Sequence, residues 1–137
     1  MPQPSILFVD DEPEIAELAR VMFADHGYEA AVAANADVAL VLLRAGLPFR
    51  LLITDVVLPG PLDGFALAYE ARLIVPQIHV VYTTGFQMVA NVRARGSVYG
   101  EIRRKPWSVS DMLGLTASIL GPPPARSEIR GKALAQG

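Results

Sequence analysis

Residues 6–13 have the sequence ILFVDDEP, a short apolar run that stops at two adjacent aspartates. An apolar run without polar alternation is typical of a strand that is covered on both faces. From Pro13 onward, Ile15, Leu18 and Met22 recur at spacings of three and four, which predicts an amphipathic helix. This segment therefore predicts a buried strand, an acidic loop and a helix, the repeating unit of an α/β fold.

Similar alternations of strand and helix follow along the chain. Further strands are predicted at residues 28–33, 51–53, 78–82 and 99–103. Helices are predicted from Asn35 or Asp37, from Asp63 to Leu73, over residues 87–95, and from Ser108 or Ser110. Because each connection is too long for a hairpin, the pattern predicts an α/β fold with a five-stranded parallel sheet and helices on both faces.

The last predicted helix ends at Gly121, which three consecutive prolines follow. The remaining residues are small, polar and charged, a composition that is typical of a flexible extension. We therefore expect a domain over residues 1–120 and a flexible C-terminal tail over residues 121–137.

Composition narrows the class of protein. The chain has 137 residues, of which 52% are hydrophobic and 19% charged, with a net charge of -2. These values predict one globular domain and argue against nucleic acid as a partner. There is no cysteine, which excludes disulfides and thiolate chemistry. The sequence shows neither a leader peptide nor an apolar spanning segment, so we expect a cytoplasmic protein without membrane attachment.

Polar residues follow four of the five predicted strands at their carboxyl ends. Asp10 and Asp11 follow the first strand, Asp55 the third, Thr83 the fourth and Lys105 the fifth. In a parallel sheet these strand ends lie along one rim, where ligands usually bind. The sequence therefore predicts three carboxylates, a hydroxyl and an ammonium group close together.

Three crowded carboxylates favour a small, hard cation, so we expect a site for Mg²⁺ or Mn²⁺ with Asp10 and Asp11 as ligands. Such a cation and Lys105 would withdraw charge from a phosphoryl group while Asp55, on a central strand, attacks phosphorus. Thr83 could then donate a hydrogen bond to a phosphoryl oxygen. The expected product is an aspartyl phosphate.

Four motifs in this order resemble the receiver domains of two-component response regulators. They are VDDEP at residues 9–13, DVVLP at residues 55–59 with Asp63-Gly64 downstream, TTG at residues 83–85, and KPW at residues 105–107. The resemblance covers about residues 5–120. It implies a flavodoxin-like fold with strand order 2-1-3-4-5.

The resemblance also implies roles for the acidic residues. Asp55 would be the phosphoacceptor, with a histidine kinase or a histidine phosphotransfer protein as donor. Asp10, Asp11 and Asp55 would hold Mg²⁺ together with the backbone carbonyl of Val57.

The resemblance also implies roles for residues at the ends of the last two predicted strands. Thr83, Thr84 and Lys105 would contact the phosphoryl group, and the bond before Pro106 would be cis, as is usual in the family. Many members carry an aromatic residue three positions before the lysine, where this chain has Ile102. Switching here is therefore expected to work without that aromatic.

These observations lead to a predicted function. We expect a single-domain receiver that signals through an unknown downstream protein, as a monomer or a weak homodimer. It would not be an enzyme, apart from self-phosphorylation and autodephosphorylation at Asp55.

Alternative functions include two other kinds of receiver domain and two unrelated classes of protein. The loop over residues 59–64 is one residue longer than the commonest family pattern and resembles receivers of hybrid histidine kinases. A pseudo-receiver that works without phosphate is a second alternative. A phosphohydrolase would need a second aspartate where Val57 stands, and a nucleotide-binding module would need a glycine-rich loop.

Overall fold

The computed structural model describes residues 3–85 and 100–123, in which strands and helices follow one another along the chain. The strands are β1 (Ile6–Val9), β2 (Ala30–Ala33), β3 (Leu51–Asp55), β4 (His79–Thr84) and β5 (Gly100–Arg104). The helices are α1 (Pro13–Asp25), α2 (Ala36–Arg44), α3 (Gly64–Ile74) and, in our numbering, α4 (Val109–Leu120). Neighbouring strands are parallel, in the order β2-β1-β3-β4-β5. The predicted α/β fold and its flavodoxin-like strand order are confirmed.

Side-chain caps fix the first residues of three helices. Asn35, Asp63 and Ser108 each accept a hydrogen bond from a backbone N–H three residues later, at 2.9, 2.8 and 3.0 Å. Such caps satisfy N–H groups that have no partner within the helix. Of the alternatives left open by the sequence, the structure therefore selects Asn35 over Asp37 and Ser108 over Ser110.

β4 is longer than predicted, because its partner strand continues beside it. The predicted strand ended at Tyr82, but β4 reaches Thr84, which pairs with Arg104 of β5. The Lys105 N–H then donates to the Thr84 carbonyl at 2.7 Å.

β2 is shorter than predicted. It begins at Ala30 and not at Tyr28, because the Tyr28 N–H donates to the Phe23 carbonyl at 2.8 Å and thereby closes the end of α1. The predicted helix over residues 87–95 and most of the predicted tail, residues 124–137, lie outside the described residues.

Each face of the sheet has its own apolar core. On one face, which we call the α2/α3 face, Leu7, Leu52 and Tyr82 pack with residues of α2 and α3. On the other, the α1/α4 face, Phe8 and Ile53 pack with residues of α1 and α4. Full burial of one such side chain contributes about 1.5–3 kcal/mol. The central strands are therefore held from both sides, which fixes the positions of their carboxyl ends.

Candidate functional site

The register of the sheet brings three polar strand ends to one level. Val9 pairs with Thr54, which places Asp10 beside Asp55, and Asp55 pairs with Thr83. Side chains of paired residues in parallel strands leave the sheet on the same side. Asp10, Asp55 and Thr83 therefore project on the α1/α4 face, at the carboxyl ends of their strands.

Lys105 follows β5 directly and reaches both buried carboxylates. Its Nζ lies 2.8 Å from Asp55 Oδ2 and 2.9 Å from Asp10 Oδ2. The peptide bond between Lys105 and Pro106 is cis. One ammonium group thus bridges two carboxylates that come from different strands.

Asp11 adds a third carboxylate to this pair. Asp10, Asp11 and Asp55 each offer an oxygen, and these oxygens lie within 4.8 Å of one another. Asp10 and Asp55 are 1% and 9% exposed, whereas Asp11 is exposed to solvent. Within residues 3–85 and 100–123, this is the acidic group with the spacing of a metal site.

The donor set fits a hard divalent cation. Asp10 Oδ1 accepts a hydrogen bond from the Glu12 N–H at 2.9 Å. Asp10 Oδ2 is buried and has its ion pair with Lys105, but no well-aligned hydrogen bond from the described residues reaches it. Because three carboxylates face one ammonium group, negative charge remains unbalanced in a partly buried place. Oxygen-rich sites of this kind suit Mg²⁺ or Mn²⁺.

The environment changes the proton affinity of two groups. Burial raises the pKa of Asp55, and the negative charge of Asp10 acts in the same direction, while the hydrogen bond from Lys105 opposes both. Burial alone would lower the pKa of Lys105, but its contacts with the Asp55 and Asp10 carboxylates outweigh this effect and raise it. Lys105 therefore stays charged at neutral pH.

The β3–α3 loop is folded closely over the backbone of Asp55. The Val56 N–H donates to the Thr83 carbonyl at 3.0 Å, and the Val56 carbonyl accepts from the Gly64 N–H at 2.8 Å. A Cβ atom on Gly64 would overlap the Asp55 carbonyl oxygen, so glycine is required there. The Val57 N–H makes a long hydrogen bond of 3.4 Å to Asp55 Oδ1.

Comparison with known proteins agrees with this geometry. The family model of the response regulator receiver domain matches residues 6–111, which include all of the residues that form the acidic site. The chain belongs to the response regulator receiver family.

Relatives of this receiver domain include longer proteins. It is 46% identical over 70 residues to an uncharacterized 14.6 kDa protein of Leptolyngbya boryana, covering 51% of this chain and 52% of that protein. It is 33% identical over 129 residues to the nitrogen assimilation regulatory protein NtrX of Azorhizobium caulinodans, covering 91% of this chain and 28% of NtrX. The chain thus spans about half or less of the length of these relatives.

A solved structure supports the same assignment. The receiver domain of NtrX from Brucella abortus superposes with a TM-score of 0.77 at 29% identity, over 84% of this chain and 97% of that domain. In the part of the receiver domain that the structure describes, no helix is long and apolar enough to cross a membrane.

The two threonines that end β4 face opposite ways. Thr83 shares the face of Asp55, whereas Thr84 projects with Val80 and Tyr82 on the α2/α3 face, because successive side chains alternate along a strand. The Thr84 hydroxyl is buried, and no hydrogen-bond partner for it is found among the described residues.

One buried aromatic residue, on the face of the sheet opposite the acidic site, was not singled out from the sequence. Tyr82 is fully buried and pairs with Ile102, and its ring centroid lies 5.0 Å from that of Phe65. The sequence lacks an aromatic at Ile102, but the neighbouring strand supplies one on the same face. This position of Tyr82 beside Ile102 could have been predicted from the sequence only if the register of the two strands were known.

A groove of about 410 Å³ opens next to the acidic site. It is lined by Glu12, Ile15, Leu18, Lys105, Pro106, Trp107 and Val109. Lys105 lines this groove and also contacts Asp55, so the groove borders the site. The Trp107 ring lies edge-on to Phe8, with the ring centroids 6.0 Å apart.

Proposed function

We propose that this receiver domain accepts a phosphoryl group on Asp55 and passes the signal on by a change in its surface. The observation that carries the proposal is the bridge from Lys105 to Asp55 and Asp10, at 2.8 and 2.9 Å, within a cluster of three carboxylates. A cationic group at this place can stabilise the oxygens of an incoming phosphoryl group.

The chemistry follows from the groups at the strand ends. An Asp55 oxygen attacks phosphorus, an O–P bond forms, and the bond from phosphorus to the donor histidine nitrogen breaks. That nitrogen leaves with the electron pair and takes up a proton. Mg²⁺ or Mn²⁺, held by Asp10, Asp11, Asp55 and the Val57 carbonyl, would reduce the negative charge that faces the phosphoryl group. Lys105 exchanges its contact with Asp55 for a phosphoryl oxygen, and water later hydrolyses the aspartyl phosphate.

The donor in this proposal is a histidine kinase or a histidine phosphotransfer protein in the cytoplasm. The groove beside Lys105 supports it, because a donor seated there would hold its phosphohistidine close to Asp55. The output is an interaction with a downstream protein, and the domain does no chemistry beyond its own phosphorylation and dephosphorylation.

The phosphoacceptor can be tested by intact mass spectrometry after incubation with acetyl phosphate. The native chain and Asp55→Asn are compared, with Mg²⁺ and with excess chelator. We expect one phosphoryl adduct that requires both Mg²⁺ and Asp55. Asp63→Asn serves as the matched control, because Asp63 is a helix cap outside the acidic cluster.

Failure of this experiment has a defined meaning. An adduct that persists in Asp55→Asn would show a different acceptor. No adduct, combined with no spectral response to beryllium fluoride, would replace the proposal by the pseudo-receiver alternative.

The longer loop over residues 59–64 favours one variant of the proposal, in which the domain is a module of a hybrid histidine kinase. The chemistry at Asp55 is the same in both arrangements. The reading frame in the genome distinguishes them, because a hybrid kinase would place kinase domains in the same chain.

A further inference from the structure

Helix α2 presents apolar side chains to solvent. Eight large apolar side chains are exposed among the described residues, and four of them lie on the neighbouring helices α2 and α3. On α2, Val41 is 66% exposed and Val38 is 43% exposed. On α3, Tyr69 and Leu73 are exposed one turn apart. Val38 and Val41 are three positions apart and lie on the same side of α2, and apolar side chains exposed together in this way commonly mark a contact with another protein.

The two charged residues of α2, which have opposite signs, lie at opposite ends of the helix with the exposed valines between them. Its charged residues are Asp37 in the first turn and Arg44 in the last turn, and both are exposed. The spacings from Asp37 to Val41 and from Val41 to Arg44 are four and three residues, which places the three side chains along one side of the helix. We call Asp37, Val38, Val41 and Arg44 the α2 stripe.

The α2 stripe is complementary to itself. If a second α2 lies antiparallel across it, Asp37 of each copy faces Arg44 of the other, and the two Val41 side chains meet near the centre. A two-fold axis generates this arrangement, because in such an interface each contact occurs twice. The antiparallel orientation also places each helix N-terminus near the C-terminus of the other, which favours the pairing of their dipoles.

We infer that the α2 stripe is a docking surface for a second copy of this chain, which pairs with it in an antiparallel, two-fold manner. The patch is small, so the dimer is weak and forms at high concentration. The α2 stripe lies on the α2/α3 face, whereas Asp55 projects on the opposite face, so a donor can reach the phosphoacceptor in either state. The inference does not rest on the proposed function.

Sedimentation equilibrium of the full chain from about 20 µM to about 1 mM tests the dimer directly. We expect the weight-average mass to rise toward that of a dimer, and less so in high salt, which screens the ion pairs. Val41→Glu should weaken association by roughly tenfold or more, because it places two like charges at the centre. Val21→Glu is the matched control, since Val21 is 41% exposed on α1 and lies outside the stripe.

The charge pairs are tested by mixing two reversal variants. Asp37→Arg and Arg44→Asp should each be monomeric alone, because like charges then oppose one another across the axis. Mixed in equal amounts, they should form a heterodimer, since every pair across the axis again has opposite signs. Far-UV circular dichroism checks that both variants are folded before they are mixed.

Three results would overturn the inference. The first is a native chain that stays monomeric up to about 1 mM. The second is an association that Val21→Glu abolishes and Val41→Glu does not. The third is a mixture of the folded reversal variants that remains monomeric.

Discussion

Lys105 balances two carboxylates that are both largely buried. Replacing it with methionine leaves Asp10 and Asp55 without the ammonium group that contacts them at 2.9 and 2.8 Å. Loss of one partner from a buried pair is costly, so we expect Lys105→Met to lower the free energy of unfolding by about 2–4 kcal/mol at pH 7 without Mg²⁺. Urea denaturation measures this, with Arg20→Met, an exposed cation paired with Glu17, as a near-neutral control.

The loss of unfolding free energy caused by Lys105→Met should depend on pH. Burial already raises the pKa of Asp55, and loss of the lysine contact raises it further. A carboxyl group whose pKa is higher in the folded state costs stability once the pH exceeds its unfolded value, about 4. The deficit should therefore be small near pH 4 and grow as the pH rises. A deficit that is equal at about pH 4 and about pH 7 would contradict this account of the site.

Asp11 offers a readout of metal binding that needs no phosphorylation. A cation that binds the folded state stabilises it by about 2.7 kcal/mol at one hundred times its dissociation constant, which raises Tm by several degrees. We expect this rise in the native chain with Mg²⁺, and little of it in Asp11→Asn. Asp25→Asn changes an exposed acid at the end of α1 and should keep the full response. An unchanged response of Asp11→Asn would remove Asp11 from the ligand set.

Thr83 and Thr84 provide a matched pair for the proposed switch. We expect Thr83→Ala to keep phosphorylation but lose most of the amide shift changes in β4 and β5 that beryllium fluoride induces, because Thr83 shares the face of Asp55. Thr84→Ala removes a buried hydroxyl from the opposite face, which lacks a partner among the described residues. If Thr84→Ala loses the shifts and Thr83→Ala keeps them, the switch belongs to Thr84.

At the scale of elements, α3 begins against the backbone of Asp55, the proposed phosphoacceptor. A Cβ atom at Gly64 would overlap the Asp55 carbonyl oxygen and crowd Val56. Gly64→Ala should therefore lower stability by about 1–3 kcal/mol and slow phosphorylation by acetyl phosphate. Gly114→Ala is the control of opposite sign, because nothing lies within 4 Å of a Cβ there and alanine favours the interior of α4 by about 0.5–1 kcal/mol. Equal stability of Gly64→Ala and the native chain would contradict this reading of the contact.

The order of elements and the rim of polar strand ends could be predicted, because a buried strand that stops at a polar residue is visible in the sequence. The side of the sheet on which each side chain of β4 projects could not be predicted. Residues 79–84 read HVVYTT, and a strand covered on both faces shows no alternation that would mark its sides. That information lies in the pairing of Asp55 with Thr83 and of Tyr82 with Ile102, which tertiary packing determines.

The first residues of the helices could likewise be predicted only in part. Asn35 and Ser108 each had a competing cap nearby, and both competitors have the chemistry to cap a helix. The outcome depends on which side chain reaches an N–H three residues later, and this requires the backbone of the loop before it.

At the scale of the whole molecule, Tyr28 ties the segment before β2 to the end of α4. Its hydroxyl donates to the Gly121 carbonyl at 2.9 Å, across 93 positions of sequence. Tyr28→Phe should cost roughly 1 kcal/mol, because the ring stays buried while the hydrogen bond is lost. Urea denaturation followed by circular dichroism measures this, with Tyr69→Phe, a change at an exposed ring, as control. No difference between the two variants would mean that water replaces the bond without loss.

Trp107 is the single tryptophan of the chain, two residues beyond Lys105 and edge-on to Phe8. Indole emission responds to the polarity and packing around the ring. In the proposed reaction Lys105 exchanges a carboxylate for a phosphoryl oxygen, which would change the surroundings of the segment that carries Trp107. The receiver thus contains an intrinsic fluorophore next to the proposed phosphorylation site, and stopped-flow fluorimetry would follow phosphorylation of Asp55 in real time without a label.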